Sequence, residues 1–171
     1  EGSRVTKGQL LIELENTQVT DIAFNPTGTL YAVTSGSFNY LYSYSNFPKL
    51  LSSYDDGLTA VAYFNGDIYV TSIDADNKGS LLRYTTELEV VEDFGTVDSI
   101  VNTMTVHNDV LFLGMENGSV YTFDGVTLDK IVELSSPAKS LVSDSNLLYL
   151  VLKNDSSIYI YNGETFFDSG A

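Results

Sequence analysis

The 171-residue chain has 43% apolar residues and sets 23 acids against 8 bases, a formal net charge of −15. That composition describes a core-forming globular chain, and the acid excess argues against nucleic acid or an anionic membrane surface as main partner, since both need a basic face. Zero cysteine excludes a disulfide scaffold and a thiol nucleophile, a single histidine excludes a multi-histidine metal site, and no apolar run approaches the ~20 residues that span a bilayer.

Taken from the N-terminus, residues 1–18 read as outer strands. Leu10 to Leu14 is one, and Ser3 to Thr6 is a worn neighbour. A unit of about forty residues then recurs over 19–57, 58–100, 101–137 and 138–171. Its first marker is an aromatic residue in a short apolar run: Tyr31, Tyr69, Phe112 and Tyr149, in steps of 38, 43 and 37. Its second is the last aromatic position of the following run: Tyr44, Tyr84, Phe123 and Tyr161, in steps of 40, 39 and 38. The third repeat resolves into four strands, Val101 to His107, Val110 to Met115, Ser119 to Phe123 and Leu128 to Leu134. Turn chemistry stands at the joints: Asn108-Asp109, Glu116-Asn117-Gly118 and Asp124-Gly125 here, Asn65-Gly66 and Asn162-Gly163 elsewhere. Val, Ile, Tyr, Thr and Phe dominate the runs, and no helical periodicity competes. The fourth repeat ends in the start of another outer strand, Thr165 to Phe167.

The second strand of each repeat specifies the layering. Val110-Leu111-Phe112-Leu113 and Leu147 to Leu152 are apolar on both faces. A sandwich strand would alternate; a continuously apolar strand is covered on both sides. Four-stranded antiparallel sheets at a forty-residue period, covered on both faces, are propeller blades stacked around an axis. The first strands then line the channel, where Ala23, Ala60 and Ala62 are suitably small.

The stretch from Val19 to Val33 resembles the opening of β-propeller blades of the WD40/YVTN/NHL-like kind, and Asn117-Gly118-Ser119-Val120-Tyr121-Thr122-Phe123-Asp124-Gly125 resembles their hairpin. The likeness covers nearly the whole chain. It implies an all-β propeller of about four four-stranded blades, on its own or as part of a larger propeller. The Gly-His and Trp-Asp dipeptides of strict WD40 repeats are missing. Three arrangements remain open: four blades closed by the N-terminal strand, half of a ring completed by a second copy, or a segment of a longer chain. A start without Met and the abrupt Asp168-Ser169-Gly170-Ala171 end point to a trimmed chain. Open blade edges would invite self-association.

Candidate chemistry is sparse. Phe38, Tyr40, Tyr42 and Tyr44 alternate along one strand and share a face. Phe38 and Tyr40 have no counterparts in the other repeats, so they are the candidate ligand-binding patch. Asp74-Ala75-Asp76-Asn77-Lys78-Gly79 resembles the start of a calcium loop, but Lys78 replaces a ligand, which leaves Asp74 and Asp76 as a weak candidate metal site. His107 precedes a turn without a nucleophile elbow and reads as a turn-edge histidine. Glu87 and Glu89 lie on one strand face, the wrong relation for glycosidase carboxylates. No catalytic residues and no cofactor are assigned. The expected function is a non-enzymatic binding or structural module with a protein or glycan partner, extracellular, cell-envelope or virion in setting. A carbohydrate-active propeller enzyme and an intracellular WD40-like scaffold are the rivals.

Overall fold

A computed structural model describes residues 17–170 apart from 38, 45–47, 55–56, 75 and 86–89; the described residues form sixteen strands and no helix. Blade 1 holds β1 (Thr17–Phe24), β2 (Leu30–Gly36), β3 (Asn39–Tyr44) and β4 (Pro48–Tyr54). Blade 2 holds β5 (Gly57–Phe64), β6 (Asp67–Ile73), β7 (Gly79–Tyr84) and β8 (Val90–Val97). Blade 3 holds β9 (Val101–His107), β10 (Val110–Met115), β11 (Ser119–Phe123) and β12 (Leu128–Glu133). Blade 4 holds β13 (Ala138–Ser143), β14 (Leu148–Leu152), β15 (Ile158–Tyr161) and β16 (Phe166–Asp168). Each sheet is antiparallel, with its four strands in chain order. The protein is a β-propeller of four blades, as the forty-residue repeat requires. The outer strands expected within residues 1–16 lie outside the described residues.

Turn chemistry sets the hairpins. Asn65-Gly66 and Asn108-Asp109 take positive φ at both positions, 49° and 93°, then 49° and 59°. Those are the two-residue turns whose twist matches the flanking strands. Phe64 consequently pairs with Asp67 and His107 with Val110. Every inner strand also carries one unpaired residue: Thr20, Thr59, Asn102 and Lys139. Such bulges turn a side chain out of the ladder. Two of these bolt onto the next blade: Thr20 Oγ1 donates to the Leu58 carbonyl at 3.0 Å, and Asn102 Nδ2 to the Ala138 carbonyl at 2.9 Å.

Every blade has a leading face toward its predecessor and a trailing face toward its successor. Tyr31, Val33 and Leu41 on the trailing face of blade 1 meet Val61, Ile68, Val70 and Tyr84 on the leading face of blade 2. Tyr69 and Leu81 meet Met104, Leu111, Leu113 and Phe123 in the same way. Phe112 and Val120 meet Leu141, Leu148, Leu150 and Phe166. Burying one such aliphatic or aromatic side chain contributes about 1.5–3 kcal/mol, so these three seams hold the blades in line. Ala60 and Ala62 lie within the second seam, and a Cβ on Gly114 would stand 2.7 Å from that of Ala138. Small residues thus set how closely blades approach.

The inner strands pack in series, β1 on β5, β5 on β9 and β9 on β13, whereas among the described residues β13 and β1 share no comparable interface. Among the described residues the row of blades is open. This corrects one expectation: Leu148 to Leu152 alternates between buried and half-buried, because only its leading face is covered.

Candidate functional site

A cleft of about 380 Å³ opens between blades 3 and 4. It forms at the end of the molecule where β9 turns into β10, β11 into β12 and β15 into β16. Phe112 and Tyr161 make its floor, their rings edge to face at 5.0 Å. Thr122, Asp124 and Asp129 line one wall, and His107 with Asn108 the other. Tyr161 donates its hydroxyl to the Gly163 carbonyl at 2.9 Å. Burial, reinforced by Glu164, pushes its pKa above the usual phenol value. The floor is therefore a neutral aromatic surface and the rim carries carboxylates.

His107 is buried, and both ring nitrogens are engaged. Asn108 Nδ2 donates to Nε2 at 3.1 Å, so the proton sits on Nδ1, which donates to Ser143 Oγ at 2.8 Å. Ser143 in turn donates to the Asp144 carbonyl at 3.0 Å. A histidine and a serine do meet, yet the serine proton points at the backbone and the histidine partner is an amide. A nucleophilic serine needs the reverse: its proton on the imidazole, and the imidazole held by a carboxylate. The chain His107–Ser143 ties β9 to the end of β13 and fixes the cleft wall.

The acids at the hairpin ends cap their own turns. Asp124 Oδ1 accepts the N–H groups of Val126 and Thr127, both at 2.8 Å, and Asp144 Oδ1 those of Asn146 and Leu147 at 2.7 and 2.8 Å. These backbone donors hold both carboxylates below the usual aspartate range. Asn162 makes the same pair of bonds in blade 4 that Asp124 makes in blade 3, and Asn25 caps the β1–β2 turn as Asp144 caps β13–β14. Asp74 belongs to this class: its Oδ1 accepts the N–H groups of Asp76 and Lys78, each at 2.9 Å. Among the described residues no cluster of three potential metal-ligating side chains forms.

Of the candidate aromatic patch, Phe38 lies outside the described residues. Tyr40 is half-buried and stands edge to face with Tyr42 at 5.6 Å. Because Leu41 packs toward blade 2, alternation places Tyr40, Tyr42 and Tyr44 on the leading face of blade 1, remote in the fold from the cleft. Glu87 and Glu89 are also outside the described residues. The cleft itself was not singled out from sequence. Its signal was the phase of the repeat: Asn108, Asp124 and Asn162 follow β9, β11 and β15, and alternate connections in an up-and-down sheet emerge at one end.

No protein-family profile and no curated protein matches the sequence. Solved structures match the fold. The WD40 β-propeller domain of Doa1 is 12% identical with a TM-score of 0.70, over 91% of this chain and 54% of that one. A Bacteroides thetaiotaomicron structure, described as the extracellular domain of a hybrid two component system, is 17% identical with a TM-score of 0.70, over 93% of this chain and 22% of that one. The computationally designed protein Ika8 is 14% identical with a TM-score of 0.64, over 94% and 51%. The chain thus spans about half or less of these three, and 98% of the designed protein Ika4. No helix among the described residues is long and apolar enough to cross a membrane.

Proposed function

We propose that this propeller is a non-enzymatic binding or structural module, extracellular or virion-borne. Its cleft between blades 3 and 4 receives a donor-rich group of a glycan or protein partner. The observation that carries the reading is the half-buried Tyr161 ring, backed edge to face by the buried Phe112, beneath the carboxylates of Asp124 and Asp129. Aromatic faces take the apolar side of a sugar ring or an aliphatic stem, and carboxylates take hydroxyl or ammonium donors. The engagement of His107 on both nitrogens supports a binding role over an acid–base one. Strands rich in Ser, Thr, Asn and Tyr, together with the likeness to a bacterial extracellular domain, support the setting.

The test is a glycan array and a basic-peptide panel, followed by calorimetric titration of the strongest hit. Asp129→Ala, at an exposed position outside the turn caps, is expected to weaken that hit about tenfold without changing thermal stability. An unchanged affinity would remove the cleft from the site. Turnover of a model glycoside that disappears in Asp129→Ala would replace the binding reading with an enzymatic one.

A further inference from the structure

The two ends of the row expose the two halves of the seam that joins every internal pair of blades. On the leading faces, Val61, Met104 and Leu141 occupy one position of the inner strand, paired with Val70, Leu113 and Leu150. Their exposures are 2%, 8% and 5%, while the blade 1 counterpart, Ile22, is 53% exposed. Phe24, two residues on and on the same face, is 62% exposed. On the trailing faces, Leu41, Leu81 and Val120 are each 0% exposed, whereas the blade 4 counterpart, Ile158, is 40% exposed. Val142 and Phe167 extend the same open face, at 56% and 46%. Scattered apolar exposure is ordinary. Here it is concentrated on two faces, and at Ile22 and Ile158 it falls on the register positions that are sealed in every internal seam.

We propose that two copies of this chain pair head to tail, the trailing face of blade 4 in each docking on the leading face of blade 1 in the other, to close a single ring. The internal seams show the geometry, since each joins one trailing face to one leading face and the contact continues that series by one step. The faces differ, so each copy offers one of each and two identical contacts close under a two-fold axis. The chain overlays about half of Doa1 and of Ika8, so two copies supply the length those folds span.

Light scattering across a dilution series of the whole chain tests this. The wild type is expected at the mass of two chains, falling to one on dilution. Ile22→Asp with Phe24→Glu breaks one face; Ile158→Asp with Phe167→Glu breaks the other. Both sets sit at exposed positions, so circular dichroism should match the wild type, and each variant alone should dissociate with a Kd raised on the order of a hundredfold. Mixing the two variants restores one intact contact and should give a one-to-one pair. A wild type that stays monomeric at the highest soluble concentration overturns the proposal. So does dissociation by only one variant set, which would mark a symmetric contact of one face with itself.

Discussion

Strands β10 and β14 are near twins in sequence, Leu111-Phe112-Leu113-Gly114 against Leu148-Tyr149-Leu150-Val151, and differ in what covers them. In β10 every residue from Leu111 to Met115 is buried. In β14, Tyr149 and Val151 are half-buried while Leu148, Leu150 and Leu152 are sealed. A strand's apolar pattern records how many neighbours it is built for; its burial records how many it has. The mismatch in β14 is therefore informative about assembly, where the match in β10 is informative only about packing.

The largest effect should come from truncating the equivalent aromatics. Phe112→Ala opens the seam between blades 3 and 4 and is expected to cost about 3–5 kcal/mol, against roughly 1 kcal/mol or less for Tyr149→Ala in the dilute monomer. Urea unfolding of both variants reads the difference, and equal losses would erase the contrast between the two strands. Next is Gly114→Ala. Its new Cβ meets Ala138 at 2.7 Å and Thr103 Cγ2 at 3.0 Å, so a loss of about 1–3 kcal/mol is expected from crowding. Blade 4 carries Val151 at the same place, facing outward, and Val151→Ala should change little in the monomer.

The smallest effect is electrostatic and belongs to the first seam. Asp21 is half-buried; desolvation raises its pKa, opposed by the N–H groups of Val61, at 3.0 Å, and Ile22, at 2.9 Å. A carboxyl with a raised folded-state pKa contributes most below its unfolded pKa, and that contribution is lost as pH rises through the folded value. The stability of the wild type relative to Asp21→Asn should therefore fall as pH climbs through the carboxylate range. Ser140, the blade 4 equivalent, carries no charge, so Ser140→Ala should shift stability independently of pH. A flat wild-type-minus-Asp21→Asn difference would show that the seam leaves Asp21 as solvated as a surface acid.

The repeat, the four strands of blade 3 and the Asn-Gly and Asn-Asp turns were legible because each is local: period-two burial, aromatic phase and positive φ leave marks within a few residues. Leu128 to Leu134 was expected and Leu128–Glu133 is observed, a difference of one residue at an edge. The cleft was hidden because Phe112, Asp124 and Tyr161 come from three hairpins and two blades, and only the stacking of blade 4 on blade 3 brings them together. His107 read correctly as a turn-edge residue, but its bond to Ser143, 36 residues on, lay beyond local reasoning. An open row was one of three arrangements the sequence left standing, and the repeat could not choose among them, because blade 4 is written in the same residues as the blades it follows.

The turn caps carry a consequence for how the molecule behaves in bulk. Asp124 and Asn162 fill one cap position in successive blades with the same pair of backbone bonds, and Asn25 and Asp74 each accept from the N–H groups two and four residues on. Amide and carboxylate are interchangeable there, so each such site can gain or shed one negative charge without altering a strand. Part of the net charge of −15 is thus a dial mounted on the hairpins, adjustable without touching the strands. A chain that leaves two apolar faces uncovered has reason to keep it turned well away from zero, since mutual repulsion holds copies apart until the matching faces find each other.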